Sequence, residues 1–199
     1  IRPSCLACGE PVGPARRALP LCNSCSAAVE RLPPGEDILC GGAPPSRVRV
    51  VALLEYGGPA ADLVLRLKYG REFALARPLG DALAAVAAAH GFPADAVVVP
   101  VPLDRRRLAT RGYNQASLIA RVLARALGLP FRPDAMTRAT PRDDDAPLDR
   151  AGRLRRVRGV FAIRRPGDVA GRPVLLVDDV VTTGATATEC ARVLAAAGA

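Results

Sequence analysis

The sequence predicts an α/β protein, a mainly parallel sheet covered by helices, preceded by a small cysteine-rich module. Three observations carry this. Ala96-Val97-Val98-Val99 and Val174-Leu175-Leu176-Val177 are short continuous apolar runs, as strands buried on both faces require. Helical patterns separate such runs, and strands alternating with helices favour a parallel sheet with both faces covered. Five of the six cysteines fall within the first 40 residues, apart from this alternation.

Composition narrows the class. At roughly 150 residues per domain, a chain of 199 residues allows one domain and a small appendage, and it can bury a core without disulfides. Half of the residues are hydrophobic but only 4% are aromatic and none is Trp, so the core is aliphatic. No apolar run reaches the ~18 residues of a membrane span. The net charge is +9, from 27 Arg and a single Lys, Lys68, against 19 acids. Such a balance suits phosphate-bearing partners, although Arg dominance also fits GC-rich coding. The one His, His90, closes an Ala-rich helical stretch before Gly91, which reads as a structural position. Histidine-dependent catalysis would have to use it. No basic segment followed by an apolar core succeeds Ile1, which predicts a cytoplasmic protein whose true start lies upstream.

Cys5 and Cys8 form one C-x-x-C and Cys22 and Cys25 a second, with thirteen residues between the pairs. Two such knuckles can set four thiolates around one structural Zn²⁺, a closed site without an open position for chemistry. Two disulfides are the alternative, disfavoured in a reducing compartment. Cys40 reads as a small residue at a turn, or a substitute ligand, and Cys190 as a buried thiol. Pro and Gly crowd residues 31–47, which reads as a linker and sets a boundary near residue 46, dividing the chain into 1–46 and 47–199.

Beyond the linker, residues 48–54 read as a strand and 60–69 as a helix. Residues 73–89 form a second helical stretch in which Pro78 implies a start or a kink. A helix over 114–127 places Leu118, Ile119, Val122, Leu123, Ala126 and Leu127 on one face, and Gly128-Leu129-Pro130 ends it. A short strand near 132–137 leads into residues 138–158, which carry little apolar pattern, seven Arg and the run Asp143-Asp144-Asp145. A loop of this length reads as a lid or an unstructured segment. Strands at 159–163 and 174–177 and a helix over 185–197 complete the chain.

The chemistry concentrates where the last apolar strand ends, in Val177-Asp178-Asp179-Val180-Val181-Thr182-Thr183-Gly184-Ala185-Thr186. Ligands of open α/β sheets bind beyond the carboxyl ends of strands. There Asp178 and Asp179 can accept hydrogen bonds from sugar hydroxyls. Thr182, Thr183, Gly184, Ala185 and Thr186 lead into a helix, whose first amides and dipole favour a phosphate. The pattern reads as a site for a phosphorylated sugar. No Lys follows the glycine, so it is not a P-loop, and G-x-G-x-x-G is absent.

This segment resembles the phosphoribosyl-pyrophosphate (PRPP) motif of type I phosphoribosyltransferases. With the cysteine finger, Lys68-Tyr69-Gly70, Val99-Pro100-Val101-Pro102-Leu103 and Arg111-Gly112-Tyr113-Asn114-Gln115, the chain resembles the ComF family. The resemblance implies the type I phosphoribosyltransferase fold, a phosphoribosyltransferase activity using PRPP and Mg²⁺, and a final strand beyond Ala199. It implies that Asp178 and Asp179 hold the ribose hydroxyls, directly or through Mg²⁺, as the catalytic pair, and that residues 182–186 cradle the 5′-phosphate. Pro100, Val101, Pro102, Lys68 and Arg111 would line the pyrophosphate side. Residues 138–158 would form a hood, with Arg153, Arg155, Arg156 and Arg158 as candidates for the leaving-group charge. The family's link to competence implies single-stranded DNA or DNA-uptake proteins as partners, and a DNA-binding or PRPP-sensing module as the alternative to an enzyme. Against DNA stands the scarcity of stacking rings, Tyr56, Tyr69, Tyr113 and four Phe.

Overall fold

The computed structural model describes residues 4–12, 19–29, the backbone of 38–40, 48–138 and 157–199. The regular elements are α1 (Asn23–Ala28), β1 (Ile38–Cys40), β2 (Val48–Val50), α2 (Gly58–Tyr69), α3 (Ala76–Ala89), β3 (Val97–Pro100), α4 (Arg105–Arg111), α5 (Gln115–Leu127), β4 (Met136–Arg138), β5 (Phe161–Ile163), β6 (Val174–Val177) and α6 (Ala185–Ala196). Hence helix and strand alternate through the main body, as an α/β protein requires.

The central ladder is β3 beside β6, parallel, with Val97 opposite Val174 and Pro100 opposite Val177. On the other side of β3, Phe131 bridges Val98 in parallel, held by Val98 N–H to Pro130 O and Arg132 N–H to Val98 O. Four consecutive buried residues in β3 follow from cover on both faces. Val98 and Val177 pack on one side with Leu63, Leu67, Ile119 and Leu123 of α2 and α5. Val97 and Val99 pack on the other with Met136, Phe161, Cys190 and Leu194.

The remaining ladders are antiparallel, β1 with β2 and β4 with β5. Among the described residues the strands thus form three separate two-stranded ladders, of which the central one is parallel and the other two antiparallel. Two local readings change with it. The linker stretch 31–47 contains β1, and Cys40 closes that strand instead of sitting in a turn. The strand expected over 48–54 pairs only through Val50, and residues 51–56 line a cavity instead.

The helices follow their local signals. Gly57-Gly58-Pro59 opens α2 with Pro in its first turn, and Arg66 and Lys68 fall in the last turn, where cations suit the dipole. A 3₁₀ turn at Phe73–Leu75 precedes α3, which places Pro78 in the first turn, where no intrahelical amide is lost. His90 caps α3, its Nδ1 2.8 Å from Val86 O, a structural role as read from sequence. The buried face of α5 is Ala116, Ile119, Ala120, Leu123 and Ala124, one position from the expected stripe, and Ala126 is exposed. The shift has a packing cause. A Cβ on Gly80 of α3 would lie 2.6 Å from Val122 Cβ, so α3 and α5 meet closely, and small residues fill that contact. Gly128 ends α5 in the left-handed conformation, which a residue without Cβ adopts freely.

Candidate functional site

The cysteine pairs converge. Cys5, Cys8, Cys22 and Cys25 place their sulfurs within 4.8 Å of one another, and Cys8 Sγ lies 3.7 Å from Cys22 Sγ. A tetrahedron with metal–sulfur bonds of about 2.3 Å has edges of about 3.8 Å, so the four sulfurs fit a metal such as zinc. Cys22 caps α1, accepting from Cys25 N–H at 3.4 Å. The Ser24 hydroxyl and that amide lower the Cys22 pKa to about 6, which favours the ligating thiolate.

Arg66 of α2 ties the first knuckle to the main body. Its Nη1 donates to Leu6 O and, at 3.0 Å, to Ala7 O, while Nε and Nη2 pair with Glu72. The guanidinium holds the Glu72 carboxyl below its ordinary range, and Glu72 in turn raises the Arg66 pKa.

At the carboxyl end of β6 the alternation of a strand sends the two acids to opposite faces. Asp179 faces α2, with its Oδ2 3.1 Å from Lys68 Nζ. Asp178 accepts from Asp179 N–H at 2.9 Å and feels Arg138 and Cys190 from the other face. Burial, then the Asp179 charge, push the Asp178 pKa up to about 7. The same burial raises the Cys190 thiol. Lys68 thus forms a salt bridge at the end of a helix, which sets its cation against the acid pair.

Gly184 precedes α6 in the left-handed conformation and has no side chain to cap the first turn. Thr183 Oγ1 accepts from Ala185 N–H at 3.4 Å, a weak bond. The adjoining loop is carried by β3. Val101 N–H donates to Val177 O at 2.8 Å, so Pro100, Val101 and Pro102 run beside the acids. A cavity of about 470 Å³ is lined by Asp178, Asp179 and Thr182 together with apolar side chains such as Val50, Leu53, Leu63, Ile119 and Leu123.

Among known proteins, the chain is 34% identical over 203 residues to "DNA utilization protein YhgH" of Salmonella typhi, covering 98% of this chain and 85% of the relative. It is 33% identical over 186 residues to the protein of that name from Escherichia coli K12, covering 90% and 79%. It is 28% identical over 186 residues to "Competence protein F" of Haemophilus influenzae, covering 89% and 80%. The chain belongs to the ComF family. No family model matches it, and no solved structure does.

In this ComF-family chain, Asp178, Asp179, Lys68 and the Pro100–Pro102 loop come together. Arg111 turns elsewhere, donating to Gln115 Oε1 at 2.6 Å with its guanidinium carbon 4.9 Å from the Tyr69 ring centre. Residues 139–156, with Arg153, Arg155 and Arg156, lie outside the described residues, and Arg158 is exposed. Three contributors were not read from sequence. Tyr113 Oη donates to Leu67 O and Lys68 O, at 2.6 and 3.1 Å, fixing the end of α2 that carries Lys68. Asn114 Nδ2 donates to Val101 O at 2.9 Å while its Oδ1 caps α5, fixing the β3 loop. Arg138 is half-buried, over the Phe161 ring at 5.2 Å, and desolvation lowers its pKa. The sequence did mark 111–115 as a motif; what it lacked was any signal that Tyr113 and Asn114 act as clamps. Among the described residues no helix is long and apolar enough to cross a membrane.

Proposed function

We propose that this chain binds PRPP with Mg²⁺ at the end of β6 and transfers its phosphoribosyl group to a nitrogen acceptor, with Zn²⁺ in the cysteine site as a structural ion, in the cytoplasm. The carrying observation is the half-buried acid pair beside an uncapped helix start, with the Asp178 pKa raised to about 7. The Asp179 charge adds to burial in raising the Asp178 pKa, and a hard divalent cation held through carboxylate oxygen would remove that repulsion. Bound Mg²⁺ would offset the charge of pyrophosphate. In the transfer, the acceptor nitrogen bonds to the anomeric carbon as the carbon–oxygen bond to pyrophosphate breaks. The electron pair leaves with pyrophosphate and the acceptor proton passes to water. Asp178 and Asp179 orient the ribose, residues 182–186 hold the 5′-phosphate, and the 100–102 loop with Lys68 flanks the leaving group.

Calorimetry with PRPP tests this reading, with and without Mg²⁺. The expected result is binding that needs Mg²⁺ and is lost in Asp178→Ala and Asp179→Ala. Equal heats without metal, or unchanged binding in both variants, refute it. Pyrophosphate release in the presence of candidate amines tests the transfer.

A second reading keeps the fold and drops the transfer, leaving a PRPP-sensing or single-stranded DNA-binding module. The names of the relatives, DNA utilization and competence, favour DNA-related work for this chain. Mg²⁺-dependent PRPP binding without pyrophosphate release would favour the sensor.

A further inference from the structure

The few aromatic residues of this chain do not scatter. Tyr69 ends α2 with 71% of its surface exposed, and Phe73, four residues on, is 46% exposed. The Phe73 ring meets the Tyr113 ring edge-on, with centroids 4.6 Å apart at 87°. Arg111 lies over the Tyr69 ring at 4.9 Å. Between the two exposed rings, Arg71 is exposed and sits at φ 56, the one non-glycine described in the left-handed region. That conformation costs a bulky residue about 1 kcal/mol or more, yet the position carries a cation. The exposed helix α4 adds Arg105, Arg106 and Arg107 immediately before Arg111. Tyr69, Phe73, Tyr113 and Arg111 therefore lie together, and α4, whose Arg107 pairs with Asp104 at 3.3 Å, ends at Arg111 beside them.

We propose that this face binds single-stranded nucleic acid, with bases stacked on Tyr69 and Phe73 and the phosphate backbone tracked by Arg71, Arg111 and the α4 arginines. The chemistry selects the occupant. An exposed ring already flanked by a guanidinium is a stacking platform, and every base offers a flat face to it. A duplex keeps its base faces stacked inside and could use the cations alone. An acidic peptide would likewise need no exposed rings. The scarcity of aromatics in the sequence, which argued against stacking, loses force once three of the seven lie together. The inference rests on the DNA-binding reading for the class of partner and stands apart from PRPP binding.

The test is fluorescence anisotropy with the zinc-loaded full chain and a labelled dT20 strand, at 50 and 200 mM salt. The expected result is that Tyr69→Ala with Phe73→Ala weakens binding about tenfold or more. Tyr69→Phe, which keeps the ring, restores affinity at that position. Arg111→Ala lowers the slope of log affinity against log salt by about 0.7. Arg172→Ala, which removes equal charge at the opposite end of β6, leaves affinity within about twofold. Each variant is checked for an unchanged melting curve and full zinc content. If the wild type fails to bind dT20 at 50 mM salt, the DNA-binding reading and this inference both fall. If it binds but the double alanine variant binds equally well, the surface is wrong while the reading survives. Equal affinity for a 20-base-pair duplex, or equal competition by polyglutamate, overturns the stacking mode.

Discussion

Burial and the Asp179 charge raise the Asp178 pKa to about 7, so the folded protein keeps a proton that the unfolded chain has lost above pH ~4. Between those two values the native state binds more protons than the unfolded state, and stability falls as pH rises through that window. The ionised carboxylate at pH 8 then costs on the order of a few kcal/mol. Asp178→Asn, which cannot ionise, is expected to raise the urea midpoint at pH 8 and to flatten its change from pH 5 to pH 8. An unchanged slope in this variant would place the raised pKa elsewhere. The same group supplies a second expectation. On the proposed reading, binding of Mg²⁺ and PRPP requires the carboxylate, so at pH 6.5 it is expected to release up to about one proton. Heats measured in buffers of different ionisation enthalpy count that proton, and equal heats would remove Asp178 from the ion's shell. Glu72 and Glu189 act in the opposite sense. Their pKa values are lowered, first by Arg66 and Arg192 respectively, so they add stability that is lost as pH falls below the ordinary carboxylate range.

Two elements fix the site more by packing than by chemistry. Gly80→Ala gains helix propensity of about 1 kcal/mol but drives a methyl to 2.6 Å from Val122 Cβ and 3.0 Å from Ile119 O. The α3–α5 pair must separate, and a net loss of about 1–2 kcal/mol is expected by urea unfolding. A variant as stable as the wild type would mean that α5 shifts freely. Tyr113→Phe removes the hydroxyl that donates to Leu67 O and Lys68 O, at an expected cost of about 1 kcal/mol. The sequence made some elements plain and hid others. β3 and β6 were legible as short continuous apolar runs, the second ending in two acids, and Gly184 marks the start of α6. Residues 51–54 looked equally like a strand, yet they line a cavity, and periodicity does not distinguish a wall from a ladder. The antiparallel β4–β5 pair had no turn signature close to it. The acid pair and the cysteine cluster were legible because each is compact in sequence. Tyr113 and Asn114 act on carbonyls 46 and 13 residues away, and no local pattern records such a reach.

Across the whole molecule, α2 connects the cysteine module to the acid pair. Arg66 grips the Cys5–Cys8 knuckle, and two residues later Lys68 reaches Asp179. Chelating the metal proposed for the cysteine site is expected to lower Tm by several degrees, since each kcal/mol is worth about 2–4 °C in a chain of this size. Arg66→Ala should lower it too, and the loss with both changes together should be smaller than the sum of the two separate losses because both act through one contact. Additive losses, read by differential scanning calorimetry, would show the knuckle and Arg66 to be independent. The apolar contacts run the same way. Leu19 and Leu21 of the cysteine module are almost wholly buried in one cluster with Leu63 and Leu67 of α2. Cutting the chain near residue 46 would thus expose an oily scar on the larger fragment, leaving it prone to clumping. The finger is less a detachable tool than the keystone against which its own helix leans.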